Sequence, residues 1–196
     1  MSQKRVVAFG GTGFIGKSLE REISTLGFDF LPVSSSQINL LEPNSLEKIL
    51  DLIQANDYIV FLSAITPDKG KGFVTFERNI KMLDGIAEAL RQKKIRHFTY
   101  ISSDAVYDVS QNIVDEKILP APVDTYGAMH RSREIILKDL CAQIGVPFLC
   151  VRPVAVYGEG DSHNSYGPNR FLSTAIKDGV ISVSYTHLTL PTKRIV

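Results

Sequence analysis

A short, mostly apolar run, Arg5–Phe9 (RVVAF), leads directly into Gly10-Gly11-Thr12-Gly13-Phe14-Ile15-Gly16. A segment with helical spacing then begins, with Phe14, Ile15, Leu19, Ile23 and Leu26 on one face and Gly27 as its stop. This order constrains the fold more than any other feature of the chain. Glycines between a buried strand and a helix let a ligand's pyrophosphate approach the backbone, because no Cβ stands in the way. Free N–H groups and the helix dipole then meet its charge. The loop contains two overlapping glycine registers, Gly10/Gly13/Gly16 and Gly11/Gly13/Gly16. The pattern alone is weak, and its place after a strand and before a helix is the confirming context.

The rest of the chain continues the alternation. Strands are predicted at Phe28–Val33, Tyr58–Leu62, His97–Ile101 and Phe148–Arg152. Helices are predicted from Pro43-Asn44, over Phe73–Gln92, over Tyr126–Ile144 and over Phe171–Lys177, with Glu159–Phe171 as a loop. Apolar strands alternating with helices imply a parallel sheet covered on both faces. Lys and Arg total 22 against 21 Asp and Glu, which gives no whole-molecule attraction to nucleic acid or anionic lipid. No apolar run approaches the roughly 20 residues that span a bilayer. The start lacks a signal-peptide core, and the two cysteines, Cys141 and Cys150, form neither a CxxC nor a zinc set. The expectation is a cytoplasmic globular protein without a metal, a membrane segment or a nucleic-acid partner.

An acidic residue about 20 positions after the glycines is expected to hold the ribose hydroxyls of a dinucleotide. The sequence has Val33-Ser34-Ser35-Ser36 there. Without the acid nothing repels a 2′-phosphate, and without an arginine nothing clamps one. The hydroxyls of Ser34 and Ser35 lean toward NADP(H), with NAD left open.

The motifs together resemble the extended short-chain dehydrogenase/reductases, the NAD-dependent epimerase/dehydratase family that acts on nucleotide sugars. The resemblance runs from Arg5 to about Phe171. It implies a Rossmann-type doubly wound parallel sheet, with the C-terminal substrate lobe largely missing. It also implies cofactor contacts from Gly10, Gly13, Phe14, Ile15 and Gly16, from Asn39-Leu40 beside the adenine, and from Leu62-Ser63-Ala64 under the cofactor. Asn79 matches a structural asparagine. Tyr100–Tyr107 (YISSDAVY) resembles the serine strand, with Ser103 in the catalytic register. Tyr126-Gly127-Ala128-Met129-His130 lies where the family has YxxxK. Arg152-Pro153 with Val156-Tyr157-Gly158 resembles RPxxVYG, which puts Pro153 at the nicotinamide end.

The implied reaction is hydride transfer with proton exchange. A Tyr126 phenolate takes the proton of a sugar hydroxyl, and Ser103 holds the same oxygen. Tyrosine titrates near ~10 and needs a nearby positive charge to act at neutral pH. In the family a lysine four residues on supplies that charge, on the same helix face. Here that position is His130, which is shorter and largely neutral near pH 7. Arg131 points about 100° around the helix and is no natural substitute. Three readings stay open: His130 does the lysine's work through charge or hydrogen bonding, the enzyme is slow with an alkaline optimum, or the chain binds cofactor without turnover.

The family's 4,6-dehydratases carry an Asp-Glu pair after the catalytic serine or threonine. Asp104 matches, but the second position is Ala105, so a 4-epimerase or 4-keto reductase fits better than a dehydratase. His163, Asn164, Asn169 and Arg170 in the expected loop are candidate nucleotide-sugar contacts, with Arg suited to a diphosphate. Dimerisation through the Phe73–Gln92 and Tyr126–Ile144 helices is a further implication. The rival readings are a non-catalytic NAD(P)-binding regulator or degenerate paralogue, and a small flavin or NAD(P)H reductase.

Ser182–Val196 (SVSYTHLTLPTKRIV) has no acid and no helical period. Val183–Thr192 resembles the translation of an adapter from transposon-based sequencing libraries. The expected division is therefore a domain over 1–181 and a non-native tail over 182–196, where His187 carries no functional weight. Sequencing the source locus past the codon for Ile181 is expected to show the frame continuing into other sequence. A locus that encodes Ser182–Val196 and then stops would refute the adapter reading.

Overall fold

The computed structural model describes residues 4–108, 110, 114–161 and 167–179. Five parallel strands form one sheet: β1 (Arg5–Phe9), β2 (Asp29–Val33), β3 (Tyr58–Phe61), β4 (His97–Ile101) and β5 (Phe148–Val151). Their order is β2-β1-β3-β4-β5. The chain winds to one side of β1, then crosses to the other, so the sheet is doubly wound. Its topological switch lies between β1 and β3, where α/β sheets bind ligands at the strand C-termini. The register aligns those ends: Phe9 faces Phe61, Phe61 faces Tyr100, and Tyr100 faces Cys150. One sheet edge therefore carries the glycine loop, Leu62–Ala64, Ser102-Ser103 and Arg152-Pro153.

The strands are apolar because both faces are covered. Val7, Phe9, Ile59, Phe61, Phe98 and Tyr100 are buried with Ile49, Ile86, Leu90 and Leu137 from the helices. Those helices are α1 (Phe14–Thr25), α2 (Ser45–Leu52), α3 (Gly72–Lys81), α4 (Leu83–Gln92) and α5 (Thr125–Ile144). Asp124 caps α5 by accepting the Gly127 N–H at 2.7 Å, and Gly145 ends it in the left-handed conformation. Cys141 is buried and Cys150 half-buried, both as free thiols.

Two elements depart from the sequence expectation. The predicted helix Phe73–Gln92 is interrupted at Met82, giving α3 and α4. A continuous helix would offer the Asn79 carbonyl to the N–H of residue 83. Instead that carbonyl accepts the buried Arg133 guanidinium from α5, and a side chain inserted into the ladder breaks a helix. The second departure is α6 (Gly167–Asp178), which starts within the predicted loop Glu159–Phe171. Pro168 permits this, since a first-turn proline loses no helical hydrogen bond.

The described residues from Ala155 onward cluster separately from the sheet unit. Within that second unit Asn169 donates to the Gly158 carbonyl at 2.8 Å and to Asp161 at 3.2 Å, so Asn169 acts as a local tie. His163, Asn164 and Ser182–Val196 lie outside the described residues.

Candidate active site

The glycine loop is built as its sequence requires. Gly10 has φ +84, and a Cβ there would lie 2.9 Å from the Ser63 nitrogen. Only glycine fits that turn from β1 toward α1, which passes against Leu62 and Ser63. The loop is pinned from both sides, by Gly10 N–H on the Val33 carbonyl and Leu62 N–H on the Phe9 carbonyl, each at 2.8 Å. Gly13 is the extended N-cap of α1 and no side chain caps that helix. Phe14, Ile15 and Gly16 form its first turn, so an uncapped helix N-terminus opens at the switch point. That arrangement fits a dinucleotide pyrophosphate.

The neighbouring cofactor candidates occupy the same sheet edge. Ser34 follows β2, its hydroxyl shared with Ser36 at 2.7 Å and Gln37 at 3.0 Å, while Ser35 is exposed. Asn39 closes its own turn by accepting the Leu41 N–H, and Leu40 is buried. Leu62, Ser63 and Ala64 are half-buried beyond β3. Asn79 brackets the following segment, accepting the Ile65 N–H at 2.8 Å and donating to the Ile65 carbonyl at 3.1 Å. Pro153 accepts the Asp104 N–H through its carbonyl.

The two serines after β4 have different roles. Ser102 is buried and donates to Glu134 at 2.7 Å. Ser103 is half-buried and caps the 3-10 turn Asp104–Val106, accepting the Ala105 N–H and donating to Asp104 at 3.1 Å. The start of α5 is pressed onto that turn. A Cβ on Gly127 would sit 2.0 Å from the Ala105 carbonyl oxygen. A glycine directly after Tyr126 is thus what lets Tyr126 come close to the Ser103 turn. Tyr126 is half-buried and lines a cavity of about 190 Å³ with Gly70, Thr75, Phe76, Asn79 and Met129.

His130 stands beneath Tyr126. Their rings meet edge to face with centroids 4.6 Å apart. Its Nδ1 lies 2.6 Å from the Tyr100 hydroxyl, and its Nε2 is buried with no hydrogen-bond partner among the described residues. Burial, with the nearby Arg133 charge, pushes the His130 pKa down to about 3. Burial pushes the Tyr100 phenol up. Both groups are therefore neutral: the phenol keeps its proton and donates it to Nδ1, which leaves the ring proton on Nε2. Of the roles open to His130, hydrogen bonding fits this setting and a positive charge does not.

Three site-forming residues were not identified from the sequence. Tyr100 is the His130 partner. Glu134, with a side chain 4% exposed, accepts Arg152 through both oxygens, at 2.8 and 2.7 Å, and also Ser102 and Arg131. Arg133 is wholly buried. The signal for Arg133 is helical arithmetic: seven residues after Tyr126 amounts to 700°, within about 20° of the same face. Asp104, the residue that matches the first of the Asp-Glu pair and is a further candidate for the substrate side, sits on the 3-10 turn, and the candidate Arg170 is exposed on α6 in the second unit.

Residues 6–182 match the model of the NAD dependent epimerase/dehydratase family. The chain belongs to that family. It is 26% identical over 180 residues to YtcB of Bacillus subtilis (strain 168), described as an uncharacterised UDP-glucose epimerase, covering 79% of this chain and 57% of that protein. Among solved structures it resembles UDP-N-acetylglucosamine 4-epimerase from Bacillus cereus, with TM-score 0.73 and 24% identity over 88% of this chain and 61% of that one. It also resembles dTDP-4-dehydrorhamnose reductase from Bacillus anthracis str. Ames in complex with NADP, with TM-score 0.70 and 24% identity over 90% of this chain and 60% of that one. These structural likenesses establish the Rossmann-type fold. The chain spans about three-fifths of the length of each of these three proteins. Among the described residues no helix is long and apolar enough to cross a membrane, and no three His, Cys, Asp or Glu side chains gather as a metal site.

Proposed function

We propose that this chain carries the cofactor-binding half and the proton-transfer residues of a nicotinamide-dependent epimerase or 4-keto reductase acting on a nucleotide sugar. The observation that carries the reading is the placement of Tyr126. It lines a cavity, and its helix start is pressed by Gly127 onto the turn that Ser103 caps. The names of the relatives, which refer to UDP- and dTDP-linked sugars, support the substrate class.

The uncapped N-terminus of α1 would hold the cofactor pyrophosphate, and the Leu62–Ala64 segment would lie along its length. The nicotinamide supplies a reversible hydride acceptor when bound. Tyr126 takes the proton of a sugar hydroxyl as the carbon bearing it is oxidised to a ketone. Ser103, turning its hydroxyl proton away from Asp104, donates a hydrogen bond to that oxygen throughout. The return step reverses both transfers, on either face of the ketone for an epimerase. Ala105 has no acid or base to offer, which argues against elimination of water. With no acidic side chain at Ser34–Ser36, NADP(H) is expected to bind at least as tightly as NAD(H).

The test is to titrate the protein with both cofactors, then add UDP- and dTDP-linked hexoses to the oxidised complex and follow the nicotinamide absorbance. The expected result is a change with one of these sugars that falls about 10²–10⁴-fold in rate in Tyr126→Phe. One observation favours a second reading, a non-catalytic NAD(P)-binding protein. His130 stands where the activating cation belongs, and it is neutral. Cofactor binding with neither an absorbance change nor any conversion of a nucleotide sugar, its 4-epimer or its 4-keto form would decide for that reading.

A further inference from the structure

The Arg133 guanidinium is the largest fully buried side chain of the fold. Its Nη1 donates to the Ser63 carbonyl at 2.7 Å, and its Nε donates to the Asn79 carbonyl at 3.0 Å. Nη2 adds the Asn79 carbonyl, the Asn79 side-chain oxygen and the Met82 sulfur. Its central carbon lies 5.2 Å over the Phe61 ring. All these partners are neutral. Among the described residues no carboxylate forms an ion pair with Arg133, although its neighbour Glu134 binds both Arg131 and Arg152. A buried cation without a counter-ion is costly, and hydrogen-bonded carbonyls only partly offset that cost. Such a cation acts strongly on any nearby group that can become negative, because little water screens it.

Two phenols are so placed: Tyr100, which burial holds neutral, and Tyr126. Tyr126, His130 and Arg133 share one face of α5, and arginine side chains on a helix lean toward its N-terminus. Asn79, which Arg133 grips through its carbonyl, lines the same cavity as Tyr126. We propose that Arg133 is the positioning cation of Tyr126, favouring its phenolate from beneath in place of a charged side chain at position 130. The assignment rests on the reading of Tyr126 as the proton-transfer group.

The other charged or titratable groups around Tyr126 come from each element packed on α5. Tyr100 from β4 is a neutral phenol, and His130 on α5 is a neutral ring. Asp104 lies on the 3-10 turn and bonds Ser103. Lys71, ahead of α3, and Asp124 both line the cavity and are exposed, so solvent screens them. Glu134 is neutralised by Arg152 and Arg131. Arg133 is the one fully buried charge in the set that lacks a counter-ion. Burial pushes the Arg133 pKa down, Tyr100 opposes this through its charge and a hydrogen bond, and Tyr126 adds an influence of the same stabilising sign.

The experiment is an ultraviolet titration of tyrosinate in the cofactor-free protein. Subtracting the Tyr126→Phe curve isolates one of the seven tyrosines. Tyr126 is expected to titrate below the ordinary value of ~10. Arg133→Met is expected to raise it by about one pH unit or more. Arg133→Lys, which keeps a charge, is expected to raise it less, and Lys71→Met to leave it unchanged. A wild-type value at or above ~10 overturns the proposal, as does an unchanged value in folded Arg133→Met. Should Arg133→Met fail to fold, the wild-type value and the Lys71→Met comparison still decide: a low value that Lys71→Met abolishes overturns it. The titration needs no turnover. A protein inactive on every nucleotide sugar can still show the shift, which separates failure of the functional reading from failure of this one.

Discussion

Glu134→Ala is expected to cost about 3–5 kcal/mol, the range for removing one partner of a buried charge pair. The carboxylate accepts from Arg152 through both oxygens, from Ser102 at 2.7 Å and from Arg131 at 3.1 Å. It therefore joins the end of β4, the end of β5 and the middle of α5, all at the sheet edge that carries the site. Without it, Arg152 keeps only the Tyr107 hydroxyl and ring as described partners, and the buried Ser102 loses its acceptor. Domains of this size are stable by about 5–15 kcal/mol, so the variant should unfold at a much lower urea concentration with an unchanged slope. A loss under about 1 kcal/mol would mean that the network is ordered without contributing net stability. Burial alone would raise the Glu134 pKa, but hydrogen bonds from Arg152, Ser102 and Arg131 together hold it below the ordinary range. Its contribution is therefore full above the unfolded pKa and is lost as pH falls through the folded one.

The second large effect is acid destabilisation through His130. The folded ring titrates near 3 and the unfolded one near 6.5. Between those values the unfolded chain binds a proton that the folded chain does not. Stability must then fall as pH is lowered through that window, by roughly 1.4 kcal/mol per unit for one proton. The comparison protein is Tyr100→Phe/His130→Leu, which removes both partners of the 2.6 Å hydrogen bond and so leaves neither of them unsatisfied. From pH 6.5 to pH 5 the wild type is expected to lose about 2 kcal/mol more than this variant, as urea unfolding at each pH would read it. Equal losses would mean that the ring is charged or hydrated in the native protein. That outcome would return His130 to the role of cation beside Tyr126.

Both effects come from residues whose significance the sequence shows only in part. The glycine loop, the strand–helix alternation and the spacing of Ser103, Tyr126 and Pro153 are local or ordered patterns. They can be read because a strand run, a positive-φ turn and a helix face are set by neighbours a few residues apart. His130 was visible as a departure from YxxxK, but its charge was not, since desolvation depends on what packs above it. Arg133 and Glu134 are adjacent in sequence and nothing there separates them. The fold turns one guanidinium toward the carbonyls of Ser63 and Asn79 and the neighbouring carboxylate toward Arg152.

The same division explains the helix that breaks at Met82. Its amphipathic period is continuous in sequence, and the break follows from Arg133 reaching the Asn79 carbonyl across 54 residues. The sequence by itself determined the Rossmann-type sheet, the glycine turn after β1 and the order of the site motifs, because short-range sterics and hydrophobic period dictate them. Only the tertiary structure decided which ionisable groups are charged and which carbonyls face a cation. Those properties depend on burial and on partners distant in the chain, which no local pattern encodes.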